Sequence, residues 1–205
     1  MTMTISRLYN SHAEARSVVE ALEASGVKHG DISVLASNAD DWHKDKKPAT
    51  YPDRDLDGKD DRAEAAAAGG GVGAAVGGTI GALTGLGIMA IPGVGPVVAA
   101  GWLVATLAGA AAGGATGSVV GALTQAGVSK EDAEVYAESL RRGGALVSVR
   151  VDDADASRVQ AVMDRSAIKT SDRLSMYRKG GWQRFDPAAP AYTADQVRRE
   201  REMYR

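Results

Sequence analysis

The chain has 205 residues, with 24 Lys and Arg against 26 Asp and Glu and a formal net charge of −2. This balance excludes the strongly basic field with which nucleic-acid-binding proteins attract phosphate, so no nucleic acid partner is expected. The chain contains no Cys, which excludes disulfides and thiolate metal or catalytic sites.

The first 37 residues predict a β-α-β unit. The opening MTMTI has neither a basic nor an apolar leader region, so we expect no signal peptide and a cytoplasmic or inner-membrane-associated location. Residues 4–9 alternate apolar and polar side chains, as a half-buried strand does. Ser11 and Glu14 form the capping-box pattern of a helix start, and Gly26 suits its end. Residues 31–36 (DISVLA) predict the second strand.

The charged segment 38–64 contains a match to the EF-hand loop D-x-D-x-D-G-x5-E. The predicted calcium ligands are Asp53, Asp55, Asp57, Lys59 through its carbonyl, Asp61 through water, and Glu64. However, Pro48 and Pro52 leave little room for an entering helix, and Asp60 stands where a pairing loop has an aliphatic residue. No second loop follows in the chain. A lone calcium site and a solvated acidic hinge therefore both stay open.

Residues 65–129 contain no Asp, Glu, Lys, Arg or His, yet hold 18 of the 25 glycines. A step of four residues keeps side chains on one helix face, where small residues let another backbone approach closely. The small residues at this step, on both sides of a break at residues 91–96, are Gly69, Gly73, Gly77, Gly81, Gly85, Gly101, Ala105, Gly109, Gly113, Gly117 and Gly121. The pattern predicts a glycine-zipper helical hairpin over residues 65–128.

This hairpin needs a packing partner. Each glycine inside a helix costs about 1 kcal/mol relative to Ala. A flexible Gly/Ala linker is the alternative, but linkers lack the four-residue phase and the larger apolar residues beside it. Each predicted helix has about 25 residues, enough at about 1.5 Å each to cross a hydrocarbon core of about 30 Å. The expected partners are a second copy of the chain, giving a homo-oligomer, or membrane lipid.

Residues 129–180 predict a helix and a second β-α-β unit. Ser129 caps the helix, which Gly143 and Gly144 end. Residues 145–151 (ALVSVRV) predict a strand, Asp152 caps the next helix, and residues 168–177 supply the closing strand. Adding 141 to each residue number of the first unit gives the corresponding residue of the second unit, and the alignment needs no gap.

The predicted fold class is therefore α+β, a ferredoxin-like sandwich built from two βαβ units and interrupted by the helical hairpin. Two unrelated βαβ units are the alternative. Residues 181–205 predict an extended arm, held to the body by Trp182 and Phe185, and a polar helix capped by Thr193. Because that helix is almost entirely polar, we expect it to be solvated or bound to a partner.

Residues 127–151 (GVSKEDAEVYAESLRRGGALVSVRV), residues 7–15 (RLYNSHAEA) and the Gly/Ala-rich middle carry a resemblance. Together they resemble the bacterial general stress protein 17M-like family over most of residues 4–177. The resemblance implies a small stress-associated protein with no established catalytic activity. It also implies a membrane association for many relatives with a Gly-rich middle, and it marks no active site.

No catalytic constellation stands out in the sequence. His12, His29 and His43 share no helical spacing with one another, and each is expected to be a solvated surface residue. Residues 85–90 fit G-x-G-x-x-A, but that nucleotide fingerprint needs a preceding strand and a helix start, whereas a helix end is predicted there. We therefore expect a non-enzymatic stress-associated protein that self-associates or inserts in a membrane. The alternative is a soluble homo-oligomeric binding or shell-forming module whose hairpins bundle between subunits.

Overall fold

A five-stranded antiparallel sheet organises the part of the chain that the computed structural model describes, residues 2–43, 87–112 and 119–203. The strands are β1 Thr2–Tyr9, β2 Ile32–Ser37, β3 Gly87–Ile91, β4 Gly95–Ala100 and β5 Ala145–Asp152. Their order across the sheet is β1-β5-β2-β4-β3, and every neighbouring pair is antiparallel.

Seven α-helices lie in the same described residues, together with a short 3₁₀ helix at His29–Asp31. They are α1 His12–Ala24, α2 Trp102–Ala112, α3 Val119–Gln125, α4 Lys130–Arg141, α5 Asp153–Met163, α6 Thr170–Lys179 and α7 Ala194–Met203. The predicted caps at Ser11 and Ser129 are confirmed: their hydroxyls accept the backbone N–H groups of Glu14 and Asp132. Asp152 stands at the N-cap position of α5, but its side chain makes no capping hydrogen bond.

The interior strand β5 is buried on both faces because helices cover both sides of the sheet. One face packs against α1 and α5 through a cluster that includes Leu22, Val147 and Met163. The other face packs against α2, α3, α4 and α6 through a cluster that includes Leu103 and Leu146. A strand covered on both faces reads as a nearly continuous apolar run, as residues 145–149 do. The described residues therefore form three layers.

The two predicted βαβ units share one sheet, as expected, but only the first is complete. In the first unit β1 and β2 flank β5. The second unit has β5 and α5, and the turns correspond: the N–H of Asp31 donates to the Lys28 carbonyl, and that of Asp172 to the Lys169 carbonyl.

The predicted closing strand at residues 168–177 is wrong. Only Ile168 pairs with β1, its N–H donating to the Leu8 carbonyl at 2.9 Å, and the chain then turns into α6. Arg173 and Tyr177, four residues apart, are both buried on one face of that helix, which a strand would not allow. The sheet is therefore not a simple ferredoxin arrangement.

The predicted helical hairpin is wrong over residues 87–100, which form the hairpin of β3 and β4. The reversal itself is confirmed: the N–H of Val94 donates to the Ile91 carbonyl, and Gly93 and Gly95 have positive φ. These residues become strands because β4 pairs with β2, Ser37 opposite Val97 and Val34 opposite Ala100. A long-range partner overrides the local period of four.

The second half of the predicted hairpin is helical in part, as α2 and α3. Its buried side chains, Leu103, Leu107, Val119 and Leu123, belong to the core of the sheet face. The 11 residues of α2 span about 16 Å. Among the described residues, none of the helices combines the length and the apolar character that a membrane crossing requires.

Candidate functional site

The predicted calcium ligands Asp53, Asp55, Asp57, Lys59, Asp61 and Glu64 lie outside the described residues. Within residues 2–43, 87–112 and 119–203, no group of three or more acidic or His side chains is placed to hold a metal ion. The calcium site therefore stays a prediction.

The predicted zipper stripe is only partly described. Gly69, Gly73, Gly77, Gly81, Gly85, Gly113 and Gly117 lie outside the described residues. Of the others, Gly101 is a turn residue with φ +88°, where a Cβ would lie 2.3 Å from the Ile32 carbonyl oxygen. Ala105 is exposed on α2, Gly109 follows it on that helix, and Gly121 is half-buried on α3. Most of the predicted stripe is therefore outside the described residues, and the zipper stays a prediction.

The described apolar residues after the hairpin turn pack against the chain's own sheet. The N–H of Leu103 donates to the Ser33 hydroxyl at 3.2 Å, and that hydroxyl donates to the Ala100 carbonyl at 2.7 Å. The guanidinium of Arg150 lies 4.0 Å from the centre of the Trp102 ring, a cation–π contact. For the described side chains of residues 97–107 and 119–123, the packing partner is thus within the same molecule.

Strand β3 forms one edge of the sheet. It pairs with β4 alone among the described strands, so one row of its backbone N–H and C=O groups has no strand partner there. Its sequence, GIMAI, contains no charged residue and no Pro. Ala90 is exposed and Ile88 is half-buried. An uncharged open edge is a template for pairing with another strand.

Strand β1 forms the opposite edge and is protected. Beyond the bridge to Ile168, the Nε of Arg7 donates to the Asp164 carboxylate at 2.5 Å beside the strand. All eight residues of β1 pair with β5, from Thr2 opposite Asp152 to Tyr9 opposite Ala145. Charge beside the strand and covering of its outer side are usual means of blocking an edge.

The C-terminal strap, residues 181–203, crosses the body and docks at three glycines. A Cβ on Gly93 would lie 2.6 Å from the Cα of Pro187, and one on Gly95 would lie 2.7 Å from the Cβ of Ala191. A Cβ on Gly143 would lie 2.3 Å from a methyl group of Val197, the fully buried anchor of α7. Each contact requires a position without a side chain. These glycines therefore shape the groove that receives the strap.

An ionic network closes the strap over the end of α4. The carboxylate of Glu138 is fully buried and accepts from Arg141 at 2.7 Å and from Arg142 at 2.6 Å. Arg142 also donates to Glu200 of α7 at 2.8 Å and lies 4.3 Å from the centre of the Tyr177 ring. Burial lowers the pKa of Arg142, but its hydrogen bonds to Glu200 and Glu138 outweigh this, so the net shift is upward.

Arg201 ties α7 to the loop that follows β2. Its guanidinium donates to the Gly143 carbonyl at 2.9 Å and pairs with the Asp40 carboxylate. The side chains of Arg201 and Asp40 are 24% and 16% exposed, so this pair lies at the rim of the groove. The C-terminal helix was predicted to be solvated or bound to a partner; α7 instead packs on the body of its own chain through Val197 and Glu200, and most of its other residues are exposed.

The predictions for the arm and the α7 cap are confirmed. Phe185 is buried, and the ring of Trp182 meets that of Tyr177 edge-on, 5.8 Å between centres. The N–H of Gln196 donates to the Thr193 hydroxyl, and the Gln196 side chain accepts the Thr193 N–H. Sequence reasoning missed the docking itself. The available signal was Val197, the apolar residue in the middle of a polar helix, which pairs with the side-chain-free position at Gly143.

The three histidines differ from one another. His29 is exposed, as predicted, and pairs with Glu23. His12 is not a solvated residue: its ring stacks on Trp42, 3.7 Å between centres and 5° between planes. Burial, with the nearby Arg201, lowers the pKa of His12, and Asp40 opposes the shift. The N–H of His43 donates to the Asn38 side chain, which folds the loop back on itself.

Comparison with known proteins adds no family: no family model, curated protein or solved structure matches this chain. The resemblance to the general stress protein 17M-like family therefore stays a prediction.

Proposed function

We propose that this chain is a non-enzymatic, stress-associated protein that self-associates through the open edge at β3 and the apolar segment before it. The observation that carries the proposal is the contrast at β3: an uncharged strand ends the sheet with one row of backbone groups unpaired among the described strands. Segment 65–86, directly before β3, contains no charged residue. Such a combination favours pairing between copies.

The simplest assembly is a twofold dimer. Two copies of β3 that pair antiparallel across a twofold axis join two five-stranded sheets into one, and each surface meets itself. Backbone hydrogen bonds supply affinity without needing particular side chains. The glycines at a step of four in segment 65–86 would then supply a second contact between copies.

Self-association is favoured over membrane insertion by the part of the apolar stretch that the structure describes. Insertion of the predicted hairpin requires its two arms to leave the body together. However, β3 and β4 are strands of the sheet, and Leu103, Leu107 and Leu123 belong to its core. Removing them would expose a large apolar surface, at about 25 cal/mol per Å².

The test is a concentration series by analytical ultracentrifugation on wild type and Ala90→Lys. A lysine at an exposed edge position repels its symmetry mate and blocks strand pairing. We expect wild type to exceed the monomer mass as concentration rises, and Ala90→Lys to weaken the association constant about tenfold or more, which corresponds to about 1.4 kcal/mol.

Met3→Lys is the matched control, because it adds the same charge at an exposed position on the protected edge strand β1. It should leave the association constant unchanged. A wild type that stays monomeric at every concentration, or equal weakening by both lysines, would refute the proposal for β3.

Gly77→Leu tests the contribution of segment 65–86 separately. Gly77 lies outside the described residues, at the middle of the first run of small residues. A leucine raises helix propensity by nearly 1 kcal/mol but overpacks a close contact by about 1–3 kcal/mol. If the glycines form a contact face, the variant loses stability and assembly. A variant as stable as wild type and of unchanged size would remove the zipper from the proposal.

The stress association rests on the sequence resemblance and is tested in native cells. The abundance of the protein should rise after heat, osmotic or ethanol stress relative to unstressed cells. Equal abundance under all these conditions would remove this half of the proposal and leave self-association standing.

A further inference from the structure

A narrow polar cavity lies where the end of α4, the buried side of α6 and the docked helix α7 meet. Its volume is about 10 Å³, the space that one water-sized occupant needs. Its wall includes charged and hydroxyl-bearing residues, which are Ser139, Arg142, Arg173, Tyr177, Glu200 and Arg201. Cavities that stay empty are apolar ones, so this polar cavity is suited to a single small occupant.

Positive charge dominates the wall of this cavity. Among the described residues, its lining contains three arginines, Arg142, Arg173 and Arg201, and one acidic residue, Glu200. Arg173 is 6% exposed and donates to the Asn10 side chain at 2.7 Å. A guanidinium has five N–H donors, so it can bind an anion and a protein partner at the same time. The wall therefore combines an excess of positive charge with many hydrogen-bond donors.

The ion pairs behind the wall do not remove this excess. Arg141 adds one positive charge, and Glu138 and Asp40 add two negative charges. Four positive charges are then opposed by three negative charges in this cluster of described side chains. Glu138 is 0% exposed and Glu200 is 6% exposed, so water screens the cluster poorly. Unbalanced charge away from water is costly, which favours the binding of a counter-ion.

Two hydroxyl groups add donors to the wall. The hydroxyl oxygens of Ser139 and Tyr177 lie 3.0 Å apart and share one hydrogen bond. Each hydroxyl has one proton, so whichever group donates, the other has a proton that the pair itself does not use. Burial raises the pKa of Tyr177, which keeps its hydroxyl protonated. An occupant that accepts hydrogen bonds therefore suits the cavity better than one that donates them.

We infer that this cavity binds one small monovalent anion, with the charge and about the size of chloride. The anion balances the excess charge of the cluster and accepts hydrogen bonds from the arginines around it. Arg173 belongs to α6 and Arg201 to α7, so an anion between them joins the C-terminal strap to the body. A water molecule fills the same space but leaves the charge unbalanced. The site is independent of the proposed self-association, because every residue that forms it lies in one chain.

The first measurement is urea denaturation of the dilute protein while chloride replaces gluconate at constant ionic strength. Urea is the denaturant because guanidinium chloride would itself supply the anion. A ligand that binds only the folded chain lowers the equilibrium constant of unfolding as the ligand concentration rises. We expect this constant to fall about fivefold or more, with slower hydrogen exchange in α7. An equilibrium constant that does not change with chloride would overturn the inference.

Two glutamates of α7 provide a matched pair of variants. Glu200 lies in the lining, whereas Glu202 is exposed. Glu200→Gln removes a negative charge from the wall and keeps an oxygen that accepts from Arg142, so the affinity for chloride should rise about tenfold. Glu202→Gln removes the same charge at the surface, where solvent screens it, and should change the affinity less than about twofold. Equal shifts in the two variants would indicate a general effect of net charge and would overturn the site.

Arg173→Gln tests the opposite sign. Loss of one guanidinium charge from the wall should weaken chloride binding about tenfold or more. The affinity is read from the same urea series, so a variant of lower stability is compared only with itself at different chloride concentrations. Chloride affinity equal to that of wild type would contradict the inference.

Crystals of the wild-type protein soaked in sodium bromide give the position of the anion directly, and they serve equally if Arg173→Gln does not fold. Anomalous scattering should place one bromide within hydrogen-bond distance of Arg142, Arg173 or Arg201. Bromide at surface positions alone would overturn the site. A wild type that binds bromide in the cavity but stays monomeric would refute the proposed self-association and leave the anion site standing.

Discussion

The two edge strands of the sheet differ in length, in charge and in the covering of their outer side. Strand β1 has eight residues, pairs with β5 along its whole length, lies beside the Arg7–Asp164 pair and is bridged by Ile168. Strand β3 has five residues, no charge and, among the described strands, no neighbour beyond β4. Among the described residues, the chain thus covers one edge of the sheet and leaves the other without a strand neighbour, next to the uncharged segment 65–86. Natural proteins usually protect an edge strand that does not pair, so the contrast between β1 and β3 is the support for the proposed self-association.

The largest expected effect is a difference in the free energy of unfolding between a variant of β1 and a variant of β3. Leu8 of β1 is 1% exposed in the main core cluster, whereas Ile88 of β3 is half-buried. Leu8→Ala should lower the free energy of unfolding by about 2–5 kcal/mol, because it leaves a cavity in packed surroundings. Ile88→Ala should cost about 1 kcal/mol or less. Urea denaturation measures both, and equal losses would contradict a body that depends on β1 more than on β3.

Val197→Ala tests whether the C-terminal strap covers the β3–β4 turn, at one end of the edge strand β3. Val197 is fully buried against Gly143, and the arm before it touches the β3–β4 turn at Gly93 and Gly95. Val197→Ala should cost about 1–3 kcal/mol. Hydrogen exchange should rise in residues 194–203 and at the turn, but not in β1. Unchanged protection of the turn would show that the strap does not close that end.

The bridge at Ile168 offers a direct way to open the protected edge. Ile168→Pro removes the N–H that donates to the Leu8 carbonyl, whereas Ile168→Ala keeps it. The proline variant should lose about 1–2 kcal/mol more than the alanine variant in chemical denaturation. It should also self-associate more strongly, since a second edge is then uncovered. Identical behaviour of the two variants would mean that the bridge contributes nothing to edge protection.

The smallest expected effect is the pH dependence of stability that comes from His12, in the helix that follows β1. Burial and Arg201 hold the pKa of His12 below its ordinary 6.5, with Arg16 adding to the shift and Asp40 opposing it. Between the lowered pKa and 6.5 the unfolded chain binds more protons, so His12 makes the protein less stable as pH falls through this range. The loss should be a few tenths of a kcal/mol, because solvent screens a partly exposed ring. His12→Gln should flatten the stability profile from pH 7.5 to 5.5, and a profile as steep as that of wild type would exclude this residue.

The sequence by itself determined the elements whose signals are local. The caps at Ser11, Ser129 and Thr193 and the reversal at residues 92–96 depend on side chains within a few positions of the backbone they bind. The strands β1, β2 and β5 were predictable because their apolar patterns match burial on a sheet. The equivalence of Asp31 and Asp172 followed from the same local turn chemistry.

Only the tertiary structure decided the elements whose form depends on distant partners. Residues 87–100 become strands because β2 offers an edge to pair with, and residues 170–179 become a helix because Arg173 and Tyr177 are buried on one face. The docking of α7 depends on Gly143, more than 50 positions away in the chain. A spacing of four residues or a polar surface indicates which structures a segment is able to adopt. The free energy of pairing and burial, which decides among those options, comes from residues that the segment meets only after folding.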